Sequence, residues 1–214
     1  MTLNYDVIPA IERAIKSIER EYQHCQGLIL TEHDLKSLIY VRLRGLLQRW
    51  HPENNSGLYW HMRSQDHHIL ASPLHLEAPW YDENGKLTIR PDITILEPEH
   101  LSILHAYDGL SIPSKQFEFG GNAIILELKF VRNKGGITPH TFERIKADFH
   151  KIKSLRERRS DVHLLNTLYC FFVIFNKTDN RCPEFNQFLN HNARGEWYQY
   201  IYGTGRVSFD PHPL

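Results

Sequence analysis

The chain has little to hold it together covalently. Its three cysteines, Cys25, Cys170 and Cys182, are odd in number, far apart and never in CxxC spacing. That excludes a disulfide framework and a zinc knuckle. Charge of one sign is also missing: Lys+Arg and Asp+Glu balance at 25 each, so no global positive field marks a nucleic-acid partner. Such a partner would need a local patch, or a metal offsetting acidic groups. No apolar run reaches the roughly 18 residues of a membrane span, and the N-terminus lacks a signal-peptide pattern. No glycine-rich phosphate loop follows any strand, which leaves dinucleotide or P-loop binding without support. The expectation is a soluble, cytoplasmic protein with no membrane partner. With 41% hydrophobic and 23% charged residues in 214, the composition fits one globular domain able to bury a core.

Periodicity predicts the elements. A helix is expected over 8–23, where Ala10, Ile11, Ala14, Ile15, Ile18 and Tyr22 recur at helical spacing. A second is expected over 31–50, opened by Thr31 and Asp34 as a capping-box pair, with Leu35, Leu38, Ile39, Leu43, Leu46, Leu47 and Trp50 as its stripe. Strands are expected over 74–80 and 87–96, joined by the hairpin signal "DENG", and over 123–130. Residues 97–121 read as a loop-rich excursion. A third helix opens at Thr138-Pro139 and buries Phe142, Ile145, Phe149, Ile152 and Leu155. The run "LYCFFVIF", 168–175, reads as a fully buried strand, and 183–214 as a short helix with one or two edge strands. This order implies an α/β sandwich around a mixed sheet: three strands meander, then a helix crosses to a fourth.

Two of these strands carry charge. Side chains alternate along a strand, so in "AIILELKF" Ile124, Leu126, Leu128 and Phe130 share one face, and Glu127 and Lys129 lie on the other. In "RPDITIL", residues 90–96, Asp92 lies opposite in sense to Ile93 and Ile95. Buried charges must be paired or must hold a metal. Two carboxylates offer hard oxygens to Mg²⁺, and an ammonium can stabilise an attacking hydroxide or a phosphorane-like transition state. The plainer account is an ion pair between Glu127 and Lys129, with Asp92 closing a turn after Pro91.

Pro91-Asp92 and Glu127-Leu128-Lys129, with "TEHDL" at 31–35, "FERIKADFHKIKSL" at 142–155 and "YCFFVIF" at 169–175, resemble the PD-(D/E)XK nuclease superfamily, also called restriction-endonuclease-like. The resemblance spans roughly Thr31 to Phe175, and its motifs are short. It implies an αβββαβ core over about 31–175 of a single domain, with the N-terminal helix and C-terminal tail as additions. It further implies metal-dependent phosphodiester hydrolysis, DNA as the default substrate, and Mg²⁺ as cation with Mn²⁺ as a substitute. Asp92 and Glu127 would be metal ligands beside the Leu128 carbonyl, and Lys129 would position or activate water.

The resemblance also implies an acid on the helix before the strands, facing the site, and Glu32 is the candidate. At about 100° per residue it falls in line with Ile39, Leu43 and Trp50, whereas Asp34 serves as a cap. Acids are equally at home in a first helical turn for dipole reasons alone. Asp148 and Lys151 lie beside the apolar face of the third helix, where the resemblance implies a polar residue near the rim of the site, but they read as a solvated flank. "KIKSLRERR" and the cluster Arg42, Arg44 and Arg49 could contact phosphates, although charge runs on helices are usually solvated faces. His51, His61, His67 and His68 with Asp66 match no metal-ligand spacing. Tyr59, Trp60 and Trp80 could stack on bases but read as core aromatics. The rival to a nuclease is a non-catalytic member of the same fold, a nucleic-acid-binding or assembly subunit. Either would act as a homodimer or through a targeting partner, since the chain has no room for a separate recognition domain.

Overall fold

The computed structural model describes residues 7–50, 60–63, 68–81, 87–97, 101–103, 117–119, 121–162 and 168–205. Its centre is a five-stranded mixed sheet. The strands are β3 (Leu74–Leu76), β6 (Ile93–Leu96), β9 (Ala123–Val131), β10 (Leu168–Asn176) and β11 (Tyr198–Thr204), side by side in that order. The first three run antiparallel to one another, and β9, β10 and β11 are parallel. Two antiparallel pairs lie outside this sheet at 60–71, β1 (Trp60–Arg63) with β2 (His68–Ala71), and at 101–119, β7 (Leu101–Ile103) with β8 (Phe117–Phe119). A further pair joins β4 (Trp80–Tyr81) to β5 (Leu87–Ile89).

Helices cover both faces. On one side lie α1 (Val7–His24) and α2 (Glu32–Trp50), whose Ile11, Ile15, Leu35 and Ile39 pack on Ile93, Ile95 and the even-numbered residues of β9. On the other, α3 (Pro139–Val162) and α4 (Pro183–Asn192) set Phe142, Ile145 and Phe185 against Ile125, Phe172 and Tyr200. Every residue of β10 is buried, because both of its faces are roofed by helices. The parallel steps β9–α3–β10 and β10–α4–β11 each use a helix as crossover, as parallel pairing requires.

The meander departs from expectation. Each of the two long strands expected over 74–80 and 87–96 is broken. Glu77 sits at φ 51°, in the left-handed region, and donates its N–H to the Asp92 carbonyl at 3.1 Å. One residue past its partner Asp92, Pro91 has no N–H to continue a ladder. Both strands therefore bend at one level, leaving β3 and β6 in the main sheet and β4 and β5 in a separate ribbon. The excursion 97–121 contains the β7–β8 pair rather than loop alone, and β1–β2 was not foreseen. The "DENG" turn lies outside the described residues. The three cysteines are unpaired, and no helix among the described residues is long and apolar enough to cross a membrane.

Candidate active site

The site forms where β9 outruns its neighbour. Ile93 opposite Leu126 is the last β6–β9 pair, yet β9 continues to Val131. Beyond that point the even-numbered N–H groups on this edge face no strand. Carboxylates meet them instead: Asp92 Oδ2 accepts from the Leu128 N–H at 2.9 Å, and Glu32 Oε2 from the Phe130 N–H at 3.1 Å. An acid before β6 and an acid on α2 thus continue a ladder that the backbone no longer supplies. By the same register Pro91 lies opposite Leu128. Lacking an N–H, it gives the Leu128 carbonyl no ladder bond.

Local chemistry puts these acids there. Thr31 and Asp34 close a reciprocal cap, with the Asp34 N–H on Thr31 Oγ1 at 3.1 Å and the Thr31 N–H on Asp34 Oδ2 at 2.9 Å. A second amide, that of Leu30, also donates to Asp34, and these bonds hold its carboxyl below the usual range. The cap fixes the start of α2, so Glu32 emerges in the first turn above the β9 edge. Lys129 reaches around that edge, its Nζ 3.9 Å from Glu32 Oε2. Its ion partner is therefore Glu32, where the plainer account expected Glu127.

Glu127, on the same face of β9 as Lys129, lies in a small cleft against α3 lined also by Lys129, Ile145, Asp148, Phe172 and Ile174. Its Oε2 is buried without a hydrogen-bond partner. Burial first, then the carboxylates of Asp92 and Asp148, push its pKa up from 4.5 to about 8, with Lys129 opposing and Glu32 adding. Desolvation and like charge act in the same direction here, since both disfavour the ionised form. Glu127 is thus a carboxyl held in its neutral form at neutral pH.

Two participants, Lys36 and Glu77, carried no expectation from the sequence, and a third, Asp148, read as a solvated flank. Lys36 on α2 is 7% exposed, with Nζ 2.5 Å from Glu77 Oε1 and 3.2 Å from Asp92 Oδ1. Its signal was available: it lies one turn beyond Glu32, on the same helix face, beside Leu35 and Ile39. Glu77 had no signal, because its position depends on a backbone bend. Asp148 reads as a solvated flank in the sequence but lines the Glu127 cleft, with Lys151 on its outer side at 2.9 Å.

The basic runs are largely engaged with the protein itself. Arg42 pairs with Glu21, Lys153 lies 3.8 Å from Glu157, and Arg156 sits over the Trp197 ring at 5.6 Å. Arg44 is exposed, whereas the side chains of Arg49, Arg158 and Arg159 lie outside the described residues. So do Tyr59, His51, Asp66 and His67, and the side chains of Trp60, His61 and His68. Trp80 is buried in the core on the α3 side.

The donors present, the carboxylates of Asp92 and Glu127 with the Leu128 carbonyl, are hard oxygens of the kind Mg²⁺ takes. The orphaned Glu127 Oε2 is the atom such a cation would satisfy. The acids surround this space without closing on it: among the described residues no three His, Cys, Asp or Glu side chains form a metal-holding group. Compared with known proteins, the chain matches no family model, no curated protein and no solved structure.

Proposed function

We propose that the chain is a divalent-metal-dependent nuclease of restriction-endonuclease-like architecture, acting on DNA. The order α2, β3, β6, β9, α3, β10 supports the αβββαβ core that the sequence resemblance implies. The observation that carries the reading is the buried, unpartnered carboxyl oxygen of Glu127 beside Asp92. Among the described residues it is the only carboxyl oxygen so placed, and a cation would satisfy it.

In this mechanism Asp92, Glu127 and the Leu128 carbonyl would hold the cation. When bound, the metal neutralises phosphate charge and lowers the pKa of water. Glu127 gives up its proton on loading, so its displaced pKa ties loading to pH. Glu32 orients the Lys129 ammonium over the β9 edge, where Lys129 positions the attacking water and stabilises charge developing on the phosphate. Leu128 N–H holds Asp92 in a fixed rotamer, which keeps one ligand preorganised.

One observation favours a second reading. Asp92 already has an ammonium on one oxygen and an N–H on the other, an arrangement that would also suit a non-catalytic binding or assembly subunit. The deciding experiment is cleavage of supercoiled, linear and single-stranded DNA and of RNA, with Mg²⁺, Mn²⁺ or EDTA, beside Asp92→Asn and Lys129→Met. Cleavage that needs metal and is lost in both variants supports the nuclease and names its substrate class. Failure to cut any of them, with no metal-dependent rise in melting temperature, refutes it in favour of the subunit.

A further inference from the structure

Lys36 has no part in the mechanism just given, yet it is the most deeply placed ammonium around the site. It rises from the second turn of α2 between both bends of the meander, meeting Glu77 after β3 and Asp92 before β6. Glu77 is held for this contact in a backbone conformation that non-glycine residues seldom adopt. Such a residue persists only where its surroundings over-determine it. Lys36 is not needed to orient Asp92, because the Leu128 N–H already fixes the other carboxylate oxygen. What Lys36 adds to Asp92 is charge.

Resting on the metal-dependent reading above, we propose that Lys36 is the resident counter-cation of the site, neutralising Asp92 in the metal-free protein and competing there with the divalent ion. Lys36 then sets how strongly the site draws metal. Glu77 is its second anchor, sharing the ammonium and so weakening its hold on Asp92. Burial opposes its charge, but Glu77 and Asp92 together outweigh burial and hold the ammonium protonated in the metal-free protein.

This makes a pattern that a merely structural lysine would not produce. In Lys36→Met, Asp92 loses its neutralising partner. The metal-free variant should melt below wild type, and saturating Mn²⁺ should abolish the deficit by binding only the folded state. Calorimetric titration with Mn²⁺ should show affinity rising roughly tenfold or more, a fraction of the Coulomb interaction available at these distances. Lys151→Met is the control: its side chain is 54% exposed beside Asp148, and water screening should hold its effect to about twofold. Glu77→Gln should weaken Mn²⁺ binding, because Lys36 then serves Asp92 alone. That variant keeps the test sharp if Lys36→Met does not fold in either condition.

Equal or weaker Mn²⁺ binding by Lys36→Met, with wild type binding normally, would overturn this role and leave the nuclease reading intact. Unchanged or tighter binding by Glu77→Gln would do the same. If neither wild type nor Lys36→Met binds Mn²⁺, the metal reading itself fails and this role goes with it. Binding by Lys36→Met alone would support the competition directly.

Discussion

Glu127→Gln offers the most quantitative test of the site. The substitution keeps the shape of the neutral carboxyl and removes its titration. In the metal-free fold Glu127 is displaced from 4.5 to about 8. Its contribution is therefore fully present below about pH 4.5, falls as pH rises, and is lost once pH passes about 8. At 1.36 kcal/mol per pH unit, this interval corresponds to a ceiling of about 5 kcal/mol. Rotation of the side chain toward water lowers the cost, so about 2–5 kcal/mol is expected. The measurement is urea unfolding in EDTA at about pH 5 and about pH 9, followed by tryptophan fluorescence. Wild type should lie within about 1 kcal/mol of Glu127→Gln at the lower pH, and the variant should be the more stable by a wider margin at the higher. Saturating Mn²⁺ at the higher pH should favour wild type again, since the variant offers only a neutral amide. A stability difference that stays constant to within about 0.5 kcal/mol between the two pH values would refute the acid-crowded burial of Glu127.

Two further outcomes follow from the geometry. Asp92→Ala should be less stable than Asp92→Asn by about 1–3 kcal/mol in denaturant, because only asparagine keeps an acceptor for the Leu128 N–H; equal stabilities would mean that this bond contributes nothing. Gly136→Ala should lower the melting temperature by about 10 °C, because Gly136 has φ +65° and an added Cβ would lie 1.8 Å from the Asn180 carbonyl oxygen. A drop of under about 2 °C would show that this turn relaxes freely.

Much of this arrangement was legible because it obeys local rules. The period of two in "AIILELKF" separates Leu126 and Leu128 from Glu127 and Lys129, and the two hydrophobic cores divide along that line. The Thr31–Asp34 cap was readable from spacing alone, and it sets Glu32 in the first turn of α2. The apolar run of β10 announces burial on both faces. What stayed hidden depends on pieces meeting at a distance. Pro91 was visible, but the break at Glu77 comes from a positive φ with no residue-type signal, so the two long strands read as continuous. The β1 and β2 segments mix histidine, arginine and methionine too freely to show alternation. Asp148 looks solvated along its own helix, and only the packing of α3 on β9 and β10 brings it beside Glu127. Lys36 was overlooked because a lysine on a helix flank ordinarily reaches water, and here two strand bends close around it.

The edge of β9 has a consequence for exchange with solvent. A strand amide is usually released only when the strands on either side part. The amides of Leu128 and Phe130 are closed by Asp92 and Glu32, so they open by side-chain rotation. Such rotation does not require the strands to part, and it is easier for Glu32, 40% exposed, than for Asp92, 17% exposed and paired to Lys36. Deuterium therefore enters these two positions in the interior of the central strand while their neighbours stay protected, at a rate set by what the two carboxylates are holding.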